Sequence, residues 1–259
     1  MGKIGMIMRK NSLLTGLYDM HCHIFYDVDD GSKSPEMSLK MLEQQYNEGV
    51  RTIIATPHYN PKAWHREIED IRGRFEDMKQ LLASSKYSDV RLFLGSEIFY
   101  HKSTTPDDIK NNSLITMAGS RYLLMEFNTF APYDEIRSAV LEAITAGYIP
   151  IVAHIERFDT LIDDIDHVYD LKDYGAYLQT NAETVIGDYG RTAKKFVKKL
   201  LKEEMIDFLG TDCHRDTGDR VPNIQAAAAY IMKKCSEGYS RKLLFDNPEC
   251  VLADEYLDD

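Results

Sequence analysis

Seven apolar, β-branched segments recur along this chain, six of them followed by an amphipathic stretch, and nearly every one has His, Asp, Glu or Asn at or just beyond its end. The segments lie at 17–21, 51–55, 91–95, 122–126, 149–153, 176–180 and 206–210. Helical patterns fill the gaps at 35–49, 64–85, 132–146, 160–173, 191–204 and 223–237. The first opens with Ser34-Pro35, a start signal with proline in the first turn, and closes at Gly49. Sustained strand–helix alternation predicts a parallel α/β domain. The terminal polar residues are Asp19, His21 and His23, then His58, Glu97, Glu126, His154, Asn181, Asp212 and His214. Reactive groups gathered at the carboxyl ends of parallel strands are the way a barrel builds a site. An open doubly wound sheet would concentrate them at one switch point, usually beside a glycine-rich phosphate loop. Neither GxGxxG nor GxxxxGK[ST] occurs, so the pattern favours a closed or nearly closed seven-stranded barrel.

No Pro/Gly/Ser-rich linker, repeat or charge block divides the 259 residues, which are enough for one large α/β domain. The expected organisation is an N-terminal extension at 1–16 and a single catalytic domain at 17–259. Lys plus Arg is 31 and Asp plus Glu is 42, a formal charge of −11. That balance argues against nucleic acid or an anionic membrane surface as the main partner. No apolar run reaches the roughly 18 residues that a membrane span needs, and the N-terminus lacks a secretory cleavage pattern. Gly2 is followed by Met6 where myristoylation wants Ser or Thr. Cys22, Cys213, Cys235 and Cys250 form neither a CxxC pair nor a disulfide framework, which suits a reducing, cytoplasmic setting.

Asp19-Met-His21-Cys-His23 carries the sharpest local signal. Residues two apart on a strand share a face, so His21 and His23 converge while Cys22 turns away. Two such imidazoles can ligate one cation, although a pair of hydrogen-bonded histidines is the plainer reading. Asp212-Cys213-His214 repeats the logic at the last strand. Glu97 and Glu126 close apolar runs, where a carboxylate is expensive to desolvate unless paired with Arg or Lys or bound to a cation. Asp27, Asp29 and Asp30 precede Gly31. Asp30 is counted as a ligand, whereas Asp27 and Asp29 are assigned to a solvated acidic turn. His65, His101 and His167 fall in helix or loop contexts and read as surface residues.

The candidate ligands are therefore His21, His23, Asp30, His58, Glu97, Glu126, His154, Asp212 and His214. Nine N/O donors exceed what one ion needs and fit two or three divalent cations sharing a bridging carboxylate. With no thiolate among them, Mn²⁺, Fe²⁺ or Zn²⁺ in mixed N/O shells is expected.

The ordered series resembles the PHP (polymerase and histidinol phosphatase) superfamily: Asp-x-His-x-His, Asp-Asp-Gly31, Ala-Thr-Pro-His58, Gly-x-Glu97, Glu126-Phe, His154-Ile-Glu-Arg157 and Thr-Asp212-x-His214. Asp29-Asp30-Gly31, His154-Ile-Glu-Arg157 and Asp246-Asn247-Pro248 resemble more specifically the bacterial metal-dependent protein-tyrosine phosphatases of capsule and exopolysaccharide clusters. The resemblance implies a distorted (β/α)7 barrel with three ions. One ion would be held by His21, His23, Glu97 and Asp212. A second would share Glu97 and add Glu126 and His154. A third would take Asp30, His58 and His214. Arg157 matches a phosphate-holding arginine, and Arg220 matches a second better than Arg215 does. Tyr59 follows His58 where some relatives carry histidine or arginine, and it bears on the entrance.

The implied reaction is phosphomonoester hydrolysis by metal-bound hydroxide, with Mn²⁺ first among the candidate metals. The implied substrate is the phosphorylated Tyr-rich tail of a bacterial tyrosine kinase that controls polysaccharide export, and self-association into a homo-oligomer is left open. Two alternatives stand beside it: a histidinol-phosphate phosphatase on the same fold, and a non-catalytic metal-binding assembly module. Cys235-x₅-Arg241 also fits the spacing of thiol-based tyrosine phosphatases. Such a loop needs a strand before it to cradle phosphate, and here a helical run precedes it.

Overall fold

The computed structural model describes residues 13–60, 68–102, 105–111 and 113–257. Most of the N-terminal extension, the first turn of the helix expected from 64, and His65 lie outside the described residues.

In chain order the elements are β1 (Leu17–Asp19), α1 (Pro35–Asn47), β2 (Val50–Ala55), β3 (His58–Tyr59), α2 (Ile68–Ala83), β4 (Arg91–Leu94), β5 (Glu97–Phe99) and α3 (Thr105–Lys110). They continue as β6 (Tyr122–Glu126), α4 (Tyr133–Thr145), β7 (Ile149–Val152), α5 (Asp159–Asp163), α6 (Asp166–Asp173) and β8 (Tyr177–Asn181). The last are α7 (Ala182–Ile186), α8 (Arg191–Lys202), β9 (Phe208–Gly210), α9 (Ile224–Lys234), α10 (Glu237–Arg241) and α11 (Asn247–Ala253).

All strand pairs are parallel, in the orders β1-β2-β4 and β3-β5-β6-β7-β8-β9. The two sheets form one wall, because β3 continues β2 past Pro57 and β5 continues β4 past Gly95-Ser96. Backbone bonds carry the wall across those breaks: Gly95 N–H donates to Ala55 O at 2.8 Å and Glu97 N–H to Pro57 O at 3.1 Å. First and last strands then meet. Met20 N–H donates to Leu209 O (3.3 Å), Asp212 N–H to His21 O (2.7 Å) and His23 N–H to Cys213 O (3.0 Å), with Cys22 and Cys213 bridged in parallel. The expected seven strands therefore close a barrel, but two of them are broken rather than continuous.

Strand alternation sorts the side chains into two layers. Tyr122 and Leu124 of β6 and Ile149 and Ile151 of β7 fill the barrel with Met20, Ile54 and Phe208, while Leu123, Met125 and Val152 face the helices. The helices answer in kind: α8 buries Ala193, Phe196, Val197, Leu200 and Leu201, a helical spacing that leaves its lysines outside. Each fully buried large apolar side chain contributes about 1.5–3 kcal/mol. In α1, Ser34 accepts the Met37 N–H at 3.3 Å and caps the helix.

The C-terminal segment stops the amino end of the barrel. Val251, Leu252 and Leu257 pack on the interior cluster, Tyr122 Oη donates to Glu255 O at 2.6 Å, and Arg121 Nε holds Asp254 at 3.0 Å. Asn247, from Asp246-Asn247-Pro248, donates to Asp207 O just before β9 at 3.0 Å. The helix expected at 160–173 is two, broken between Asp163 and Asp166. The one expected at 223–237 ends at Lys234, and Cys235 leaves it in extended backbone (φ −99°, ψ 171°).

Candidate metal centre

At the carboxyl end of the barrel the interior register runs on into polar residues. The inward series Thr52, Ile54, Thr56 reaches His58; Phe93 and Gly95 lead to Glu97; Tyr122 and Leu124 lead to Glu126. His154 follows the inward Ala153 and would face outward in a regular strand. Its left-handed backbone (φ 27°, ψ 59°) turns it into the mouth instead. Asp212 and Arg220 also have positive φ, 51° each. Backbone strain of this kind costs on the order of 1–3 kcal/mol per residue and clusters at functional sites.

The nine candidate ligands converge there. Glu97, fully buried, is surrounded by four imidazoles: His154 Nε2 at 2.7 Å, His58 Nδ1 at 2.9 Å, and His21 and His23 Nε2 each at 3.3 Å. Asp212 Oδ1 lies 3.6 Å from His21 Nε2 and 3.4 Å from His23 Nε2. Glu126 lies 3.5 Å from His154 and 3.6 Å from His58. Asp30 Oδ1 is 3.3 Å from His214 Nε2 and 3.4 Å from His58 Nε2. Three sets have their donor atoms close enough to share an ion: His23/Asp30/His58/His214, His21/His23/Glu97 and His58/Glu97/Glu126. His23 and His58 each belong to two sets, so the centre is continuous rather than three separate pockets.

These donors fit divalent cations. Asp30 Oδ1, Glu97 Oε2 and His214 Nε2 are buried without a hydrogen bond, although each faces another donor atom of the cluster. The Nε2 atoms of His21 and His23 face each other at 3.2 Å, an arrangement that one proton or one cation between them relieves. Among the described residues, Glu97 and Glu126 pair with histidines and with neither Lys nor Arg. Electrostatics alone spreads protons over the cluster. Burial pulls the His58 imidazolium down, but Glu97 and Asp30 outweigh it and lift it to about 10. Burial and Arg157 depress His154, yet Glu126 and Glu97 raise it to about 9. Burial and the His23 charge push His214 down to about 4. Burial would raise Glu97 and Asp212, but His21 and His58 hold the first carboxyl well below its usual range, and Arg157 and His21 hold the second.

A ring of supporting side chains orients the ligands. Gln179 Oε1 faces His21 Nδ1 at 3.2 Å and accepts the His154 N–H at 2.7 Å. Asn181 Nδ2 donates to Asp212 Oδ2 at 2.9 Å. Asp19 accepts from Thr211 N–H (2.8 Å) and Oγ1 (2.6 Å), tying β1 to the end of β9. Asp29 corrects the expectation of a solvated turn. It is buried, its Oδ2 sits 2.8 Å from His23 Nδ1 and accepts the His58 N–H at 3.0 Å, and its Oδ1 accepts the Gly31 N–H at 2.8 Å. A carboxylate behind a ligating histidine fixes its tautomer and raises its basicity. Gly31 is required beside it, since a Cβ there would lie 2.4 Å from His23 O. Asp27, with its side chain 56% exposed near Arg74, keeps the solvated character expected of it.

Arg157 reaches Asp212 Oδ2 at 2.6 Å and Glu183 at 3.8 Å, with the Tyr189 ring centroid 5.3 Å from its Cζ. Arg220 donates to Asp212 Oδ1 at 2.9 Å and lies 3.9 Å from Asp30. Arg215 instead donates to the backbone carbonyls of Asp30 and His214. Of the two alternatives, Arg220 is the one among the site carboxylates. Cys22 and Cys213 face the outer layer, where burial drives the Cys22 thiol well up. Cys235 contacts Leu201 O, and Arg241 pairs with Asp246 at 2.9 Å, so no thiol phosphate loop forms there. His167 stacks on Tyr133 (3.8 Å between centroids), apart from the ligands. Gln179 and Glu183 carried no signal in the sequence that distinguished them from ordinary polar residues.

Comparison with known proteins agrees with this geometry. The chain is 30% identical over 246 residues to tyrosine-protein phosphatase CpsB of Streptococcus pneumoniae, covering 93% of this chain and all of that one. It is 33% identical over 205 residues to a putative tyrosine-protein phosphatase, CapC, of Staphylococcus aureus, covering 78% of each. Among solved structures, one from work on Bacillus subtilis YwqE and S. pneumoniae CpsB, described as unique metal-dependent tyrosine phosphatases, superposes with a TM-score of 0.83 at 27% identity, over 93% of this chain and 96% of that one. The sequence model for capsular polysaccharide synthesis, CpsB/CapC, matches residues 17–253, and the chain belongs to that family.

Proposed function

We propose that this protein is a metal-dependent protein-tyrosine phosphatase acting on a phosphorylated bacterial tyrosine kinase of a capsule or exopolysaccharide system. Seven N/O side chains stand in groups that could hold an ion, His154 and Asp212 adjoin them, and two arginines meet on Asp212; that convergence carries this reading. Three ions are assigned: His21, His23, Glu97 and Asp212 would hold the first; Glu97, Glu126 and His154 the second; Asp30, His58 and His214 the third. Mn²⁺ is the leading candidate, with Fe²⁺ or Zn²⁺ compatible with the same donors. Residues 17–259 form the catalytic domain and 1–16 an extension to it. No helix among the described residues is long and apolar enough to cross a membrane, and all four cysteines are free, in keeping with a cytoplasmic enzyme.

Divalent cations in this centre supply Lewis acidity toward phosphoryl oxygens and lower the pKa of the attacking water. The chain's own residues do the rest. Arg157 and Arg220 present planar donor forks to the phosphoryl group. Asp212 holds both forks in place, and Asn181 holds Asp212. Gln179 and Asp29 fix the rings of His21 and His23. A phenoxide leaving group has a parent pKa of about 10, so its departure needs no strong general acid, whereas an alkoxide would.

Compare kcat/KM for p-nitrophenyl phosphate, a phosphotyrosine peptide from a kinase tail, a phosphoserine peptide and histidinol phosphate at one pH and one Mn²⁺ concentration. The first two should be preferred clearly. Preference for histidinol phosphate would replace the substrate assignment, and metal binding without turnover of any of the four would leave a non-catalytic module.

A further inference from the structure

Between α7 and α8 the chain makes a four-residue loop, Gly187-Asp188-Tyr189-Gly190, whose two glycines both have φ of 106°. Its ends are fixed. Helix α7 starts directly at the end of β8, and Lys194 of α8 donates back to the Ile186 carbonyl. Helix α8 in turn packs on residues 155–157, the turn that carries Arg157. The loop therefore sets Tyr189 beside the site, with its ring centroid 5.3 Å from the Arg157 guanidinium carbon. Tyr189 is 44% exposed, so it is not a core residue and keeps surface available to a visitor. Of the exposed large apolar side chains among the described residues, it is the one over a site arginine.

Building on the phosphatase reading, we propose that Tyr189 is the specificity-determining wall that packs against the aryl ring of the substrate. Arg157 is anchored from behind by Asp212 at 2.6 Å and flanked by Glu183 at 3.8 Å, so its position is set before substrate arrives. A phosphoryl group gripped by that guanidinium has its ester oxygen one bond away and, in an aryl ester, the ring immediately beyond. That ring meets the Tyr189 face in an offset or edge-on contact of the kind aromatic pairs favour. An alkyl phosphate or an imidazole alcohol ester carries a flexible sp³ carbon at that distance and gains little from the wall. Selection for aryl esters then has two independent sources, the leaving group and this contact.

The test uses Tyr189→Ala, Tyr189→Leu and Tyr189→Phe in the metal-loaded enzyme. Substrates are a phosphotyrosine peptide, p-nitrophenyl phosphate and β-glycerophosphate, with inorganic phosphate as inhibitor. Tyr189→Ala and Tyr189→Leu should lose about tenfold in kcat/KM on both aryl esters, mainly through KM, consistent with the loss of one aromatic pair. Turnover of β-glycerophosphate and the inhibition constant of phosphate should hold, and Tyr189→Phe should behave as wild type. Equal losses on aryl and alkyl esters with weaker phosphate inhibition would mean that Tyr189 only steadies Arg157, and would overturn the proposal. So would unchanged aryl kinetics in Tyr189→Ala. A wild-type enzyme that ignores aryl phosphates altogether would instead refute the phosphatase reading itself.

Discussion

Asp212 places one carboxylate oxygen 2.6 Å from Arg157 and the other 2.9 Å from Arg220, so a single side chain beyond the last barrel strand holds both arginines. The same carboxylate lies within 3.6 Å of His21 and His23. Anchoring of the proposed anion clamp and of the candidate metal ligands thus meets in one residue. Asp212→Asn should lower metal content and weaken phosphate inhibition together. Arg157→Ala should cut kcat by roughly 10²–10³, typical of losing one charge-stabilising donor, with metal content intact. Elemental analysis of both proteins beside steady-state kinetics separates the two effects.

Of the proposed ligands, Glu97 should be the least replaceable, because four imidazoles face its two oxygens. Glu97→Gln should lose bound metal and hydrolysis in parallel. Full metal occupancy at wild-type rate in that variant would remove its bridging role.

Asp29 makes a subtler prediction. It touches His23 and the His58 backbone and stands outside the groups that could hold an ion. Outer carboxylates of this kind are worth about 10–100-fold in metal affinity. Asp29→Asn should therefore raise the metal concentration needed for half-maximal activity by about that factor, with kcat largely recovered at saturating Mn²⁺. Failure of excess metal to rescue it would point to a direct role in catalysis.

Metal binding should be strongly pH-dependent. The metal-free His58 and His154 titrate at about 10 and about 9, so both carry protons at neutral pH. A ligating imidazole must be neutral, and binding therefore expels those protons. Apparent affinity should rise as pH climbs from 7 and level off once it passes 9 to 10. In the metal-free protein the linkage runs the other way. Imidazoles whose folded pKa is raised stabilise fully below their unfolded value of about 6.5, and that contribution is lost as pH rises through 9 to 10. Calorimetry in buffers of different ionisation enthalpy would count the protons released, and a count of zero would contradict the charge arrangement described.

Thiol chemistry should be irrelevant to turnover. Cys235 leaves a helix rather than a strand, and burial raises its thiol. Cys235→Ser and alkylation should leave activity in place, whereas a strong chelator should abolish it and Mn²⁺ should restore it. The opposite pattern would reinstate a cysteine nucleophile.

The strand ends and the convergence of the candidate ligands on them were legible in the sequence because both follow from local rules. Alternation sends Glu97, Glu126 and His58 inward, and HxH or DxH pairs share a face. Asp29 was misread for the same reason. Three acidic residues within four positions look like a solvated turn, and only the return of the chain past Gly31 buries one of them under His23. Asn181 stood out as a polar strand end, but Gln179 became recognisable only once β8 stood beside β7 and β9. The breaks at Pro57 and Gly95-Ser96 have visible punctuation, yet nothing local says that hydrogen bonding resumes beyond them. Positive φ at His154 and Asp212 is set by tertiary context and had no sequence signal.

The barrel seam lies where the first strand meets the last, with His21 and His23 on one side and Asp212 and His214 on the other. A ribosome-bound chain holds the first two histidines early but cannot assemble the complete centre until residue 214 has emerged. Products that stop before residue 214 therefore lack the full constellation. Once the seam is shut, ions bound across it would act as a clasp between the two ends of the polypeptide. Metal depletion should then loosen the first and last strands before the interior ones, as amide exchange along β1 and β9 would reveal.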